Sequence, residues 1–260
     1  DIKFEKFQGA GNDFILLDNR NAIYSNLTFE QIKKICNRHT GIGADGLILV
    51  DYSNDSDFEM RYFNSDGNPS SLCGNGSRCV VAYANKLGII GNYTQFKAID
   101  GYHNAQLISN NEVRLKMNNI SRIIHFDKAI VLDTGSPHYI ELHDDISNLN
   151  IKKLGSEIRK SKPFRPGGIN VNFIQKENNQ KFLIRTFERG VEDETLACGT
   201  GAVAAAVGMH HLGETKGETK IELQALGGML IVDFIYNNKI YENIHLQGPA
   251  NFVFSGTLKI

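Results

Sequence analysis

The chain has 260 residues, of which 41% are hydrophobic, so it is long enough to fold around a substantial buried core. Its 28 Lys and Arg residues nearly balance its 29 Asp and Glu residues, which argues against a nucleic-acid-binding surface. No apolar run reaches the roughly 18 residues of a membrane span, and the first residues alternate apolar with charged side chains. We therefore expect a cytoplasmic protein with neither a membrane segment nor a signal peptide.

Short alternating or β-branched runs, separated by turn residues, predict strands through much of the chain. The predicted strands are Ile2–Phe7, Phe14–Asp18, Leu47–Tyr52, Phe58–Phe63, Val113–Met117, Ile221–Leu223 and Met229–Phe234. Hairpin-type turns at residues 109–111 and 227–228 favour antiparallel pairing over helical crossovers. Helical periodicity and end signals predict four helices, at Thr28–Arg38, Gly76–Leu87, Ile151–Arg159 and Gly199–Leu212.

One pattern occurs in both halves of the sequence. Phe63 precedes Cys73 by 10 residues, Phe187 precedes Cys198 by 11, and each cysteine begins a Cys-Gly-x-Gly segment that leads into a predicted helix. A weaker match pairs residues 12–15 with residues 171–174. We therefore predict two similar α+β halves that face each other: residues 1–118 with a C-terminal strand at 249–260, carrying Cys73, and residues 119–248, carrying Cys198.

The two glycine-flanked cysteines are the candidate chemical groups. Each is predicted at a helix N-terminus, where unpaired backbone N–H groups and the helix dipole favour a thiolate and can also hold a carboxylate. With one sulfur on each side of a cavity, a thiolate can remove an amino-acid α-proton from one face while a thiol protonates the other. This inversion needs no cofactor in principle. Cys36 and Cys79 lack the glycine-rich context, and we expect both to be buried hydrophobes.

At these residues the sequence resembles the diaminopimelate epimerase family. The shared segments are Gly11-Asn12-Asp13-Phe14, Phe63-Asn64-Ser65-Asp66-Gly67, Cys73-Gly74-Asn75-Gly76, Glu188-Arg189-Gly190 and Cys198-Gly199-Thr200-Gly201. The resemblance implies an α+β fold of two pseudo-symmetric halves, each a mainly antiparallel β-sheet or barrel wrapped around a central α-helix. It also implies a homodimeric, cofactor-independent isomerase with no metal, which interconverts LL- and meso-diaminopimelate for lysine and peptidoglycan precursor biosynthesis.

The same resemblance implies a role for each matching residue. The acid/base pair would be Cys73 and Cys198. The reacting carboxylate would be held by Gly74, Asn75, Gly199 and Thr200. The distal amino and carboxyl groups of the substrate would be bound by Asn12, Asn64, Asn170, Glu188 and Arg189, since Arg suits a carboxylate and Glu suits an ammonium group. His138 would help to orient the site.

Two positions depart from the family pattern. Ser136 stands where the family has the Asn of an Asn-Pro-His segment, and its shorter hydroxyl would need a bridging water to reach the substrate. Gly46 stands where some members have a substrate-contacting Gln, so that contact is absent.

Two other hypotheses stay open at this point. A proline racemase or hydroxyproline epimerase shares the paired Cys-Gly-x-Gly segments, but its small ring substrate needs fewer polar partners than Asn12, Asn64, Asn170 and Arg189 offer. A non-catalytic thiol redox protein, in which Cys73 and Cys198 form a reversible disulfide, belongs to a different class.

Overall fold

The structure is a computed structural model that describes residues 1–70 and 73–259. Within that part of the chain the α-helices are α1 Phe29–Cys36, α2 Gly74–Lys86, α3 Ile151–Arg159 and α4 Gly199–His211. The four predicted helices are confirmed, each to within two residues at either end. No helix in these ranges is long and apolar enough to cross a membrane.

The chain divides into two compact units, residues 1–115 with 248–260, and residues 116–247. The strands of the first unit are β1 Ile2–Gly9, β2 Asn12–Asp18, β3 Gly46–Asp51, β4 Phe58–Asn64, β5 Tyr93–Ala98, β6 Gly101–Ser109, β7 Glu112–Lys116 at the boundary, and the C-terminal strand, numbered β17, Asn251–Leu258. Strand β17 pairs antiparallel with β1. The last residue of the predicted C-terminal strand, Ile260, lies outside the described residues.

The second unit contains nine strands in the described residues. They are β8 Ile123–Phe126, β9 Ala129–Asp133, β10 Pro137–His143, β11 Asn170–Lys176, β12 Lys181–Glu188, β13 Asp193–Thr195, β14 Lys220–Ala225, β15 Gly228–Asn237 and β16 Ile240–Pro249, which ends just past the unit boundary. Both predicted hairpins, β6–β7 and β14–β15, are confirmed as antiparallel pairs.

Most strand pairs are antiparallel, as the hairpin-type turns indicated, but four pairs among the described residues are parallel and are joined through helices. The pairs β2–β3 and β4–β5 in the first unit, and β10–β11 and β12–β14 in the second, are parallel. Each of the four α-helices lies between the two strands of one such pair, because parallel neighbours need a long connection from one end of the sheet to the other.

Helices α2 and α4 form the buried centre of their units. Most of α2 is buried, and α4 is apolar on every side, with the small residues from Ala202 to Val207 fully buried. A helix of this kind has no polar face to turn to solvent and packs inside a sheet. Helices α1 and α3 bury one face each, through residues such as Ile32, Ile35 and Ile151.

Candidate active site

Each candidate cysteine occupies the N-cap position of the buried helix of its unit. Cys73 has extended backbone angles (φ −103°, ψ 119°) before α2, and Cys198 has similar angles (φ −122°, ψ 112°) before α4. Neither side chain accepts a capping hydrogen bond from the first turn. Cys73 is partly exposed, whereas Cys198 is 9% exposed. The predicted position of both thiols at helix N-termini is confirmed.

The two units place equivalent strands beside these helices. Phe14 of β2 pairs with Gly46 of β3, and His138 of β10 pairs in the same parallel manner with Asn170 of β11. The next strands, β4 and β12, end at Asn64 and Glu188. Strand β2 therefore corresponds to β10, and the weak match of residues 12–15 with 171–174 is wrong, because β2 precedes a crossover helix whereas β11 follows one.

A chain of hydrogen-bonded amides joins the candidate residues of the first unit. Asn12 donates from Nδ2 to Oδ2 of Asp45 (2.9 Å) and accepts at Oδ1 from Nδ2 of Asn75. Asn75 in turn accepts at Oδ1 from Nη2 of Arg78 (2.8 Å). A guanidinium can only donate and a carboxylate can only accept, so the two ends of the chain fix the orientation of both amides.

Beside this chain lies a cluster of paired charges. Asp13 contacts Lys6 (Nζ to Oδ2, 2.9 Å) and Arg38 (Nη2 to Oδ1, 2.7 Å), and Arg38 also contacts Asp45 (2.7 Å). Burial would raise the pKa of Asp13, but its hydrogen bonds to Arg38 and Lys6, together with their charges, lower that pKa from 3.8 to about 2. The Asp13 carboxylate is thus ionised at neutral pH, and its ion pairs anchor the start of β2.

The other two cysteines are in different surroundings. Cys36 and Cys79 are buried, and burial raises the pKa of each thiol to about 12. Both thiols are therefore protonated at physiological pH. The expectation that they pack as small hydrophobic side chains is confirmed.

A second hydrogen-bonded chain reaches Cys198 from within the second unit. Nδ2 of Asn172 donates to Nδ1 of His138 (3.1 Å). Because Nδ1 accepts this bond, the proton of the ring lies on Nε2, which donates to Oγ1 of Thr200 (3.0 Å). The Thr200 hydroxyl lies 3.5 Å from Sγ of Cys198. Burial, aided by the charge of Arg189, lowers the pKa of His138 to about 3, so the imidazole is neutral and orients Thr200.

Three further predicted residues meet at the edge of the second unit. Asn170 donates to Oγ of Ser136 (2.8 Å) and accepts from the backbone N–H of Arg189 (2.9 Å). The Arg189 guanidinium lies 3.5 Å from the same serine oxygen. Ser136 thus links the amide and the guanidinium, while Glu188 immediately precedes Arg189 at the end of β12 and is partly exposed.

At Gly46 the backbone has no room for a side chain. A Cβ there would lie 2.5 Å from the ring of Tyr62 and 2.6 Å from the carbonyl oxygen of Phe63. The Tyr62 ring therefore occupies the space into which a side chain at this position would project.

The sequence analysis missed three residues that support the site. Arg78 and Asp45 terminate the amide chain of the first unit, and Asn172 begins the chain to Cys198. Arg78 and Asp45 are ordinary surface residue types, so nothing in the sequence indicated the burial of Arg78 or the contacts of either residue. Asn172 was noted in the weak internal match, but without a role.

Comparison with known proteins adds independent information. A family model described as diaminopimelate epimerase matches residues 4–123 and 130–253. Diaminopimelate epimerase of Flavobacterium psychrophilum is 48% identical, with 99% of this chain and 100% of the relative covered. The enzyme of that name from Chlorobaculum tepidum is 43% identical, with coverage of 97% and 99%.

Solved structures show the same fold at low sequence identity. A phenazine biosynthesis protein of the PhzF family from Bacillus anthracis is 14% identical, with a TM-score of 0.75 and coverage of 100% of this chain and 99% of that one. A hydroxyproline epimerase from Agrobacterium vitis, also 14% identical, has a TM-score of 0.66 and coverage of 98% and 91%. The predicted fold class, two repeated α+β halves, is confirmed.

Proposed function

The chain belongs to the diaminopimelate epimerase family, and we propose on that basis that it interconverts LL- and meso-diaminopimelate. The reaction inverts one α-carbon by removal of its proton and delivery of another to the opposite face. We further propose that Cys73 and Cys198 carry these two protons. The observation that supports this most strongly is their equivalent position, since each is the N-cap of the buried helix in its unit.

The proposed chemistry uses the thiols as an acid/base pair. One cysteine, as thiolate, takes the α-proton, and the electron pair left on carbon spreads into the carboxylate. The other cysteine, as thiol, gives its proton to the opposite face and becomes the thiolate. The reaction therefore requires the two sulfurs on opposite sides of one carbon atom, and reversal exchanges their roles.

The reacting carboxylate gains charge as the proton leaves. Backbone N–H groups at the starts of the two helices are suited to stabilise it, because they point out of the N-terminus and coincide with the positive end of the helix dipole. The residues we assign to this task are Gly74, Asn75, Gly199 and Thr200. Asn75 is already oriented by Asn12 and Arg78, so little reorganisation is needed when the substrate binds.

The distal zwitterionic group of the substrate needs its own partners. We assign it to Asn12, Asn64, Asn170, Glu188 and Arg189, with Ser136 and His138 in support. Arg189 is partly exposed and is held at the site edge by Ser136 and Gly167, so its guanidinium is available for a carboxylate. Glu188 offers the complementary charge for the ammonium group.

Three further proposals concern the setting of the enzyme. We expect the reaction to need no metal or organic cofactor, since two thiols supply both proton transfers. A cytoplasmic location fits a chain of 260 residues with only four cysteines, too few for a disulfide scaffold. A homodimer is supported by the exposed apolar run Phe252, Val253 and Phe254 on β17, which a second subunit could cover.

Solvent deuterium exchange tests the function. The protein is incubated in deuterated water, with reductant, with LL-diaminopimelate, meso-diaminopimelate or proline, and α-deuterium is measured by mass spectrometry. We expect incorporation from both diaminopimelate isomers and none from proline. Incorporation from proline alone would support a ring-substrate racemase, and no incorporation from any of them would leave the thiol redox hypothesis. A Cys36→Ala variant, which removes a buried thiol outside the site, serves as the matched control and should exchange normally.

A further inference from the structure

Arg78 is an unusual residue in the first unit because its side chain is fully buried, with 0% exposure. It belongs to the first turns of α2, and its guanidinium donates to the carbonyl oxygens of Pro249 (3.1 Å) and Gly74 (3.4 Å) and to Oδ1 of Asn75 (2.8 Å). All three acceptors are neutral. Gly74 directly follows Cys73, so the buried charge lies beneath the start of the helix that this cysteine caps.

The charge of Arg78 is not neutralised by the neighbouring cluster. The two cations Lys6 and Arg38 are already matched by the two carboxylates Asp13 and Asp45. Among residues 1–70 and 73–259, no carboxylate forms an ion pair with Arg78. A buried guanidinium without an anion is costly, and this cost falls when an anion forms nearby.

Two thiols lie close enough to Arg78 to act on it electrostatically. Burial lowers the pKa of Arg78, while Cys79 and Cys73 act in the opposite direction. Cys79 is fully buried, and its pKa of about 12 keeps it protonated. Cys73 is partly exposed, so of the two thiols it is the one that water reaches.

The position equivalent to Arg78 carries no charge in the second unit. Helices α2 and α4 both have 13 residues, and the position that corresponds to Arg78, the fifth of the helix, is Val203 in α4. Cys198 instead has the neutral hydroxyl of Thr200 beside it, oriented by the neutral His138. Arg189, whose guanidinium lies near Ser136, is partly exposed and is assigned above to a substrate carboxylate.

We propose that Arg78 is a positioning residue that makes Cys73 the thiolate and Cys198 the thiol in the resting enzyme. This inference rests on the proposed function. Catalysis then starts differently for the two isomers. The isomer whose α-proton faces Cys73 reacts with the resting enzyme directly, and it leaves Cys73 protonated and Cys198 as thiolate. The enzyme returns to rest when the proton passes from Cys73 to solvent and another reaches Cys198.

The test measures the two thiols separately in the full-length protein without substrate. The protein is alkylated with iodoacetamide between pH 5 and pH 10, and the rate at Cys73 and at Cys198 is followed by peptide mass spectrometry. The midpoint of each pH profile reports the pKa of that thiol, whereas the accessibility of the thiol affects only the maximum rate. We expect the Cys73 midpoint to lie at least about one pH unit below that of Cys198, which is a tenfold difference in acidity.

Two substitutions separate the charge of Arg78 from its packing. Arg78→Met should raise the Cys73 midpoint by about one pH unit, whereas Arg78→Lys, which keeps the charge, should retain most of the original value. The Cys198 midpoint should not move in either variant. Arg61→Met, which removes an arginine of the same unit that is paired with Asp51, is the matched control and should leave both midpoints unchanged.

Equal midpoints for the two thiols in the unchanged protein, or a lower midpoint for Cys198, would overturn the proposal. So would equal shifts in Arg78→Met and Arg78→Lys. If Arg78→Met does not fold, as judged by circular dichroism, the unchanged protein and Arg78→Lys decide the matter. Because alkylation needs no turnover, failure here is distinguishable from failure of the proposed function, which would appear as absent deuterium exchange.

Discussion

Replacement of Asp13 with Asn should lower the free energy of unfolding by about 2 to 4 kcal/mol at pH 7. The pKa of Asp13 falls from 3.8 to about 2 on folding, and at 1.36 kcal/mol per unit this shift alone corresponds to about 2 kcal/mol. The variant also leaves Lys6, which is 5% exposed, without its carboxylate. Removal of one partner from a buried pair costs about 3 to 5 kcal/mol, but Lys6 keeps its bond to the carbonyl oxygen of Gly43, which limits the loss.

The sign of the pH dependence follows from the direction of the shift. Because the folded-state pKa of Asp13 lies below the unfolded value, its contribution is fully present above about pH 4 and is lost as the pH falls toward 2. Urea unfolding, followed by far-ultraviolet circular dichroism at pH 7 and at pH 3, measures the difference between the two proteins. That difference should be smaller at pH 3.

A surface pair provides the matched control. Asp18 pairs with Arg20 near the end of β2, and both side chains are more exposed than those of Asp13 and Lys6. Exposed pairs contribute up to about 1 kcal/mol, so Asp18→Asn should have a small effect. If Asp13→Asn costs no more than this control, or if its cost is the same at both pH values, the argument that the ionised Asp13 carboxylate stabilises the fold through its contact with the buried Lys6 is refuted.

Two predictions concern the surroundings of Cys198. Gly201→Ala places a Cβ 2.6 Å from Oδ1 of the buried Asn172. Epimerase turnover should therefore fall at least about tenfold, and the free energy of unfolding should fall by about 1 to 3 kcal/mol. Gly91→Ala, whose Cβ meets open space, is the control and should change neither quantity. Thr200→Val removes the hydroxyl that lies beside Sγ of Cys198. Because one neutral hydrogen bond contributes about 1 kcal/mol, its loss should raise the alkylation midpoint of Cys198 by about 0.7 pH unit. An unchanged turnover or an unchanged midpoint would contradict the respective contact.

The helices and the cysteine positions were predictable because local signals determine them. Helix α3 was predicted at the bounds it has, Ile151–Arg159, and Asn150 caps it through its side chain. Thr28 and Gln31 form a capping box at α1. The all-apolar stretch of α4 could only be a buried helix, and the glycine-rich segment before it placed Cys198 at the N-terminus.

The parallel pairing and the supporting contacts were not predictable in the same way. Parallel pairs depend on which strands a helix connects across the unit, and turn residues carry no information about that. Strands β10 and β11 were not predicted, although they carry His138, Asn170 and Asn172.

Equivalent positions in the two units also differ in residue type, which hides their relation in the sequence. Phe14 corresponds to His138, Gly46 to Asn170, and Arg78 to Val203. Each unit therefore supports its cysteine with different side chains on the same backbone arrangement. The burial of Arg78 follows from this packing and not from any local pattern.

Single substitution of the two cysteines tests the central claim most directly. Cys73→Ala and Cys198→Ala are compared with Cys79→Ala, a buried thiol of α2 that is proposed to take no part in the reaction, and folding of each variant is checked by circular dichroism. Loss of a positioned acid or base lowers the reaction rate about a hundredfold or more. Both site variants should therefore interconvert LL- and meso-diaminopimelate at least this much more slowly, from either isomer, while Cys79→Ala remains active. Near-normal conversion by a folded Cys73→Ala or Cys198→Ala protein would contradict the account.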